Sequence, residues 1–219
     1  MGLIKYLLSE EPGIFEKAAF IIKNHGDVGA YGEYLTKYLF RSVRFNGYHK
    51  ILGNVYVPYR GKTSEIDILL IHEKGIYVIE SKNYSGWIFG NADQQNWTQM
   101  INKNTKERFY NPIKQNKTHI KALAKYLDMQ PEQMKSYIVF SERCELKKIP
   151  ENTEQYTITK RDKLLNLIKA DTENNKTVFT AEQIDELYNK LQSLTEVSQE
   201  VKEKHIEDIN KRFKKGKDN

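Results

Sequence analysis

Apolar and polar residues follow two different periods along the first half of the chain. The stretch "YHKILGNVYVPY" (48–59) is rich in β-branched and aromatic residues and predicts a strand that ends before Pro58, followed by a loop at "GKTS". In "EIDILLIHEKGIYVIESKN" (65–83), two apolar runs flank a Glu-Lys-Gly turn, which predicts a β-hairpin. "SGWIFG" predicts a short strand closed by Gly90, whereas the polar residues 91–110 predict no clear element.

Helical periodicity appears on both sides of this hairpin. A first helix is expected to begin near Gly29, with an apolar stripe at i, i+4, i+7 and i+8, formed by Tyr31, Leu35, Tyr38 and Leu39. Asn111 and Pro112 predict the N-cap and first position of a second helix. Its buried stripe is Ile113, Ile120, Leu123, Ala124 and Leu127. Gln115 and His119 lie four apart on another face of the same helix.

The second half of the chain predicts two strands and three helices. The strands are expected at 136–141 and 155–159, and a helix at 161–170. Thr180 and Gln183 form a capping box that starts another helix, with Ile184 and Leu187 on its apolar face. A last, highly charged helix spans roughly 196–214. This order predicts an α/β protein with a mixed central sheet flanked by helices and a helical C-terminal extension.

Composition limits the class of protein. The chain has 219 residues, and no stretch approaches the ~18 apolar residues that suggest a membrane span. The start of the chain has no small-residue cleavage site, so no signal peptide is expected. Cys144 is the only cysteine, which excludes an intrachain disulfide and fits a reducing compartment. We therefore expect a cytoplasmic protein with no membrane partner.

The formal net charge of +6 is concentrated at the end of the chain. The tail "KRFKKGKDN" carries five cations and one acid, so residues 1–210 hold only about +2. A basic tail can touch phosphates, but it is more often a solvated end. The near-neutral body argues against a tight duplex binder, which usually has a stronger basic patch.

Three charged residues interrupt the apolar hairpin, namely Asp67, Glu80 and Lys82. A two-residue loop at residues 73–74 places Asp67 opposite Glu80, and a loop at residues 74–75 places it opposite Lys82. Glu80 and Lys82 share a face in either register, so both gather two acids and a lysine in one patch. A three-residue loop would turn Asp67 to the other face unless a bulge restored it.

Two carboxylates in one buried patch repel each other and are costly to leave unpaired. A divalent cation removes both costs, because Mg²⁺ prefers carboxylate oxygens. With Lys82 orienting a water, such a cluster suits hydrolysis of a phosphodiester. The alternative is a Lys–carboxylate ion pair of little consequence at a strand end. The residues alone leave both interpretations open.

Several segments together resemble a known family. They are "GEYL", "EIDILLIHEKGIYVIESKNYSGWIFG", "NW" at residues 96–97 and "NPIKQNKTHIKAL". In this order they are similar to the nuclease-related domain (NERD), a branch of the PD-(D/E)xK, or restriction-endonuclease-like, nuclease superfamily. The resemblance covers about residues 27–127. Ile66-Asp67 stands where the superfamily has proline-aspartate, which leaves the aspartate intact.

The resemblance implies a restriction-endonuclease-like fold with the site on its central hairpin. It assigns Asp67, Glu80 and the backbone carbonyl of Ser81 as ligands of Mg²⁺ or Mn²⁺, and Lys82 as the residue that positions or activates the attacking water. Two further residues complete the implied catalytic set, Glu33 and Gln115. Glu33 would bind the metal directly or through water, and Gln115 would line the site.

Other interpretations compete for several of these residues. Periodicity alone places Glu33 off the apolar stripe and in solvent, and Gln115 can equally be a surface glutamine. His119 is expected to be a polar helix-face residue rather than a ligand, and His205 an ordinary helix-surface histidine. Aromatic residues near the hairpin can stack on nucleobases, but packing is the more common role for such residues. They are Trp87, Phe89 and Trp97.

The leading functional hypothesis is a metal-dependent nuclease whose partner is nucleic acid, with DNA as the expected substrate. A binding module on a nuclease fold that does not cut is the alternative, and an interaction protein that uses the charged C-terminal helices is a third. The expected organisation is an N-terminal segment at 1–26, a nuclease-related domain at 27–170, and a helical extension with the basic tail at 171–219.

Overall fold

The computed structural model describes residues 34–36, 38 and 46–215, with side chains described as far as residue 208. Residues 34–36 and 38 are helical, which agrees with the first predicted helix. Tyr31 and Leu39 of its stripe, and the candidate site residue Glu33, lie outside the described residues.

Beyond residue 45, the described residues form nine strands and four α-helices. The strands are β1 (His49–Tyr59), β2 (Lys62–His72), β3 (Gly75–Lys82), β4 (Gly86–Phe89), β5 (Asn96–Met100), β6 (Lys106–Tyr110), β7 (Met134–Phe140), β8 (Cys144–Lys148) and β9 (Thr157–Lys160). The helices are α1 (Pro112–Leu127), α2 (Arg161–Asn174), α3 (Ala181–Gln192) and α4 (Gln199–Lys215), and a 3₁₀ turn at Pro131–Gln133 precedes β7. None of these helices is long and apolar enough to cross a membrane.

Two mixed sheets organise these elements. The larger sheet has the strand order β1-β2-β3-β7-β9, antiparallel from β1 to β3 and parallel from β3 to β9. The smaller sheet has the order β6-β5-β4-β8, with only β4 and β8 parallel. Parallel neighbouring strands need a crossover connection. The connection from β3 to β7 includes α1, and the connection from β7 to β9 includes β8.

Helices cover both faces of the larger sheet. Residues of α1 and α3, such as Leu123 and Ile184, pack on one face with β2 and β3 residues. Leu164, Leu165 and Ile168 of α2 pack on the other face. A third cluster joins the smaller sheet to β7, β9 and α1. The predicted mixed central sheet with flanking helices and a helical C-terminal extension is confirmed, and it is consistent with a restriction-endonuclease-like fold.

The first hairpin corrects the predicted end of β1 and the predicted loop at "GKTS". β1 continues through Pro58 to Tyr59, and β2 already begins at Lys62. β1 is an edge strand of the larger sheet, where a residue without an N–H is tolerated. The turn needs only Arg60 and Gly61, whose φ angles of 52° and 72° suit a tight two-residue hairpin turn.

The second hairpin selects one of the predicted registers. His72 pairs with Gly75, and Ile68 pairs with Ile79, so the loop consists of residues 73–74. The ladder ends at that last pair. Asp67 and Glu80 are the next residues along the two strands, as the first predicted register requires.

The sequence pattern missed three strands and located most helix ends. β5 and β6 lie in the polar residues 91–110, and β8 lies in a charged segment. The apolar–polar alternation in these strands is short, and most of their side chains face solvent at least in part. α2 ends four residues later than predicted, at Asn174. The Asn111 side chain accepts a hydrogen bond from Ile113 N as an N-cap, and the Thr180–Gln183 capping box is present. All five residues of the predicted α1 stripe are buried.

The path from β3 into β4 depends on a glycine. Gly86 has φ +74°, and a Cβ there would lie 2.1 Å from the Met100 carbonyl oxygen. Gly61 has nearly the same φ, +72°, but a Cβ would meet nothing within 4 Å. We expect Gly61→Ala to lower the free energy of unfolding by about 1 kcal/mol from backbone strain alone, and Gly86→Ala to cost at least about 2 kcal/mol more.

Urea unfolding of both variants measures this difference. Equal losses for the two alanines would show that β5 can move away from β4, and that the close approach of the two backbones at Gly86 and Met100 does not fix the position of β5.

Candidate active site

The candidate site lies where parallel strands end. β3, β7 and β9 are parallel, so their carboxyl ends share one edge of the larger sheet. Glu80 and Lys82 are near the end of β3, and Ser81 lies between them. The edge at the carboxyl ends of parallel strands is where α/β proteins most often bind ligands.

Asp67 reaches this edge through an irregularity in β1 and β2. The pairing of the two strands skips Asn54 and Asp67, and Asn54 has a left-handed φ of 54°. Across this point Ile66 and Leu69 both face the α1 side, so the alternation of faces shifts by one residue. The Asp67 carboxylate accepts a hydrogen bond from Ser81 N at 2.7 Å through Oδ2. It thus satisfies a backbone donor just beyond the end of the β2–β3 ladder.

Glu80 is the most enclosed charged group of the site, with a side chain that is only 1% exposed. Its Oε1 lies 2.6 Å from Lys82 Nζ, and its Oε2 lies 3.0 Å from His119 Nε2. Burial disfavours the charged forms of Glu80 and Lys82, but their mutual attraction and hydrogen bonds outweigh it. The pKa of Glu80 is therefore lowered below its usual range, and the pKa of Lys82 is raised.

α1 supplies two side chains to the site from one face. Gln115 Oε1 accepts a hydrogen bond from Lys82 Nζ at 3.1 Å, and His119, one turn later, contacts Glu80. His119 Nδ1 lies 2.7 Å from the Ser64 hydroxyl. A neutral imidazole can donate from Nε2 to Glu80 and accept from Ser64, so the ring satisfies both neighbours without a charge.

The sequence interpretation of His119 as a polar helix-face residue was incomplete. The side chain is buried and is part of the site. Its spacing from Gln115 was visible in the sequence, but nothing in the pattern showed that this face of α1 packs on the end of β3.

Asn116 fixes the position of α1 against the sheet. It is fully buried, and its Nδ2 donates to Val78 O at 2.9 Å and to Ser136 Oγ at 2.8 Å. Through these hydrogen bonds Asn116 joins α1 to β3 and β7. Because Gln115 and His119 flank Asn116, their distances to Lys82 and Glu80 depend on this anchor.

A second polar network lies beside Ser81. The Ser81 hydroxyl is 3.1 Å from the Thr36 hydroxyl, which accepts a hydrogen bond from Nε of Arg161 at 3.1 Å. Arg161 is only 4% exposed and also pairs with Glu142 at 3.2 Å. In the sequence pattern Arg161 marks only a helix start. A basic residue two positions after the strand predicted at 155–159 was the available signal for its place at this edge.

The structure brings together five of the six candidate site residues. Asp67, Glu80, Ser81, Lys82 and Gln115 are connected by the contacts above, and Glu33 lies outside the described residues. The carboxylates and the Ser81 carbonyl are hard oxygen donors, which Mg²⁺ prefers, and this ion usually keeps several waters. Among the described residues no group of three or more His, Cys, Asp or Glu side chains forms a metal cluster. Two carboxylates and one backbone carbonyl are a donor set of the kind that Mg²⁺ takes together with several waters.

The other residues singled out in the sequence have varied locations. Trp97 is fully buried and stacks on Phe140, so it is a packing residue. Phe89 is partly buried, whereas Trp87 is 41% exposed. The expectation of a surface position for His205 was wrong: it is buried, with Nδ1 3.0 Å from the Thr63 hydroxyl, because α4 packs against β2.

Comparisons with known proteins agree with this geometry. The sequence profile of the family described as nuclease-related domain matches residues 28–141. An uncharacterised protein of Bacillus anthracis is 30% identical over 189 residues, which are 85% of this chain and 86% of that protein. No solved structure matches significantly. The chain belongs to the nuclease-related domain family, and the resemblance noted in its sequence is confirmed.

The buried Glu80–Lys82 pair makes a stability prediction. Glu80→Gln leaves the mostly buried Lys82 ammonium without its counter-charge, so we expect a loss of about 3–5 kcal/mol in the free energy of unfolding. Adding Lys82→Met to this variant removes the unpaired charge and should restore most of the loss. Chemical denaturation of the three proteins checks both steps. A single variant as stable as wild type, or a double variant no better than the single, contradicts the pairing.

The contribution of the Glu80–Lys82 pair to the free energy of unfolding should depend on pH. Folding lowers the pKa of Glu80 from 4.5 to about 2. Its contribution to stability is therefore present above about pH 4.5 and is lost as the pH falls toward the folded value. The difference between wild type and Glu80→Gln should narrow across that acidic range.

Proposed function

We propose that this protein is a metal-dependent nuclease that hydrolyses phosphodiester bonds, with DNA as its substrate and the cytoplasm as its location. The observation that supports it most is the buried cluster of Asp67, Glu80 and Lys82 at the carboxyl end of β3, in a member of the nuclease-related domain family. A scaffold without chemistry to perform gains little from placing two acids and a lysine in one enclosed patch.

Asp67, Glu80 and the Ser81 carbonyl are the residues that would hold Mg²⁺ or Mn²⁺. When bound, such an ion polarises a phosphoryl oxygen and lowers the pKa of a coordinated water. Asp67 and Glu80 lie on neighbouring strands, each directly beyond the last pair of the β2–β3 ladder, Ile68 and Ile79. Glu33, in the segment that precedes Thr36, is proposed as a further ligand, directly or through water.

Lys82 is proposed to position the attacking water and to stabilise negative charge on the phosphoryl group. Its pKa is raised beside Glu80, so it is protonated at neutral pH and acts as a hydrogen-bond donor. The Gln115 carbonyl oxygen holds the ammonium at 3.1 Å and limits its directions. His119 holds the other Glu80 oxygen, so the carboxylate keeps one orientation when Lys82 turns toward substrate.

A binding module that does not cleave is the second candidate function. Both oxygens of Glu80 are already bonded, to Lys82 and to His119, and the described residues contain no three-residue metal cluster. In that case the lysine serves to neutralise the carboxylate, and the domain holds nucleic acid without hydrolysis.

A cleavage assay separates the two functions. Wild-type protein with Mg²⁺ or Mn²⁺ should cut single-stranded or duplex oligonucleotides, and chelation should stop the reaction. Asp67→Asn should lower the rate at least about 100-fold, because it removes one of two ligand carboxylates. Asp128→Asn, at the exposed far end of α1, is the matched control and should cleave normally. Equal rates for wild type and Asp67→Asn would refute the catalytic assignment.

Lys82→Ala provides a second arm of this experiment. Removing a cation beside Asp67 and Glu80 should keep or raise Mn²⁺ affinity in calorimetry. Single-turnover cleavage should fall by about 10²–10⁴-fold if Lys82 positions the water. Tighter metal binding with normal cleavage would exclude Lys82 from the mechanism.

A further inference from the structure

We propose that the outward face of the smaller sheet, here called the β4 platform, binds a single strand of nucleic acid and delivers it to the site. The β4 platform consists of two rows of side chains across the four strands. The rows are Lys106–Met100–Trp87–Glu145 and Arg108–Thr98–Phe89–Lys148. The proposal rests on the nuclease function proposed above and names the form of its substrate.

The two faces of this sheet differ in composition. Ile88, Trp97 and Phe109 point into the core with Cys144 and are buried. On the opposite face, Trp87 is 41% exposed, and Phe89 is partly buried two residues later. Successive side chains of a strand point to opposite faces, so Trp87 and Phe89 both lie on the platform. An exposed tryptophan on a flat sheet face offers a ring on which an unpaired base can stack.

Cations surround these rings. Lys106 and Arg108 are exposed on β6 at one edge of the platform, and Lys148 lies at the other edge. Lys147 Nζ lies 5.5 Å from the centre of the Trp87 ring. The one acid in the two rows, Glu145, is paired with Lys147 at 2.5 Å. Within the described part of the chain, Lys106, Arg108 and Lys148 have no acidic partner at ion-pair distance. The charge of the platform is therefore complementary to a phosphate backbone.

The platform is directly connected to the candidate site. Only residues 83–85 separate Lys82 at the end of β3 from Gly86 at the start of β4. Four residues of extended chain span at most about 14 Å. The Gly86 N–H bonds to Arg143 O, and Ser141 N bonds to Lys82 O, which ties this connection to the segment between β7 and β8. A strand on the platform thus lies within a few nucleotides of Lys82.

The geometry favours a single strand over a duplex. Stacking on Trp87 needs a base whose face is not already covered by its neighbours. Four strands about 4.8 Å apart give a surface roughly 14 Å wide, which suits one backbone with its bases laid flat. The near-neutral body of the protein lacks the broad basic surface that a duplex usually needs.

The two tryptophans make a direct test possible, because Trp97 is fully buried and only Trp87 is exposed. Full-length protein carrying Asp67→Asn, in chelator and at low salt, is titrated with (dT)₂₀ while tryptophan emission is recorded. We expect quenching that is lost in the added variant Trp87→Phe, which nevertheless still binds by fluorescence anisotropy. Trp87→Ala should weaken binding by about 5- to 150-fold, as expected for one lost stacking contact.

The salt dependence of binding tests the cations separately. Lys106→Gln/Arg108→Gln should lower the slope of log affinity against log salt by about 1.4, since each phosphate contact to a single strand contributes about 0.7. Lys163→Gln/Lys176→Gln removes two exposed lysines outside the smaller sheet and should leave the slope unchanged. A duplex of equal length should bind at least tenfold more weakly.

Three results would overturn the β4 platform. They are binding that Trp87→Ala leaves unchanged, a duplex bound as tightly as (dT)₂₀, and sedimentation that shows a dimer abolished by Trp87→Ala, which would make this face a contact between copies. Because binding is measured without metal in an Asp67→Asn background, loss of the platform and loss of nuclease activity are distinguishable. Single-strand binding by a protein that never cleaves would support the platform and refute the nuclease.

Discussion

One buried carboxylate sets the arrangement around the end of β3. Glu80 is 1% exposed, and it stays ionised because Lys82 and His119 each bind one of its oxygens. Both partners are needed to keep Glu80 ionised, since a buried charge without partners would cost several kcal/mol. The need for partners at Glu80 also constrains the position of α1. His119 is brought to Glu80 by α1, and α1 is held by Asn116 on β3 and β7.

The position of the Asp67 carboxylate has a different cause from that of Glu80. Its carboxylate accepts the Ser81 N–H at the point where the β2–β3 ladder ends, and the skipped pair with Asn54 lets it do so. The two acids therefore do not simply repel each other in an enclosed patch. Glu80 is paired with Lys82 and His119, whereas Asp67 accepts a backbone N–H and also interacts electrostatically with Lys82. This resolves how an apolar hairpin tolerates three charged residues, and it leaves carboxylate oxygens and a lysine together at a strand edge.

The hairpin and α1 were predictable because their signals are local. Asn111 and Pro112 fix a helix start, and the register with a two-residue turn at 73–74 was one of those derived from the possible turn loops. Nonlocal features were not predictable. The role of His119 depends on how α1 crosses β3, and the burial of Arg161 depends on parallel strands 80 residues apart in the chain meeting at one edge. β5 and β6 escaped detection because their outward positions are polar or charged, which gave weak alternation.

The central claim is that Asp67 and Glu80 form a metal-binding site, and anomalous diffraction from crystals grown with MnCl₂ tests it most directly. The account predicts one anomalous peak within coordination distance of a carboxylate oxygen of each residue, with the Lys82 ammonium displaced from Glu80 Oε1. Crystals with no peak at millimolar Mn²⁺, in which Lys82 and His119 still bind Glu80, would contradict it.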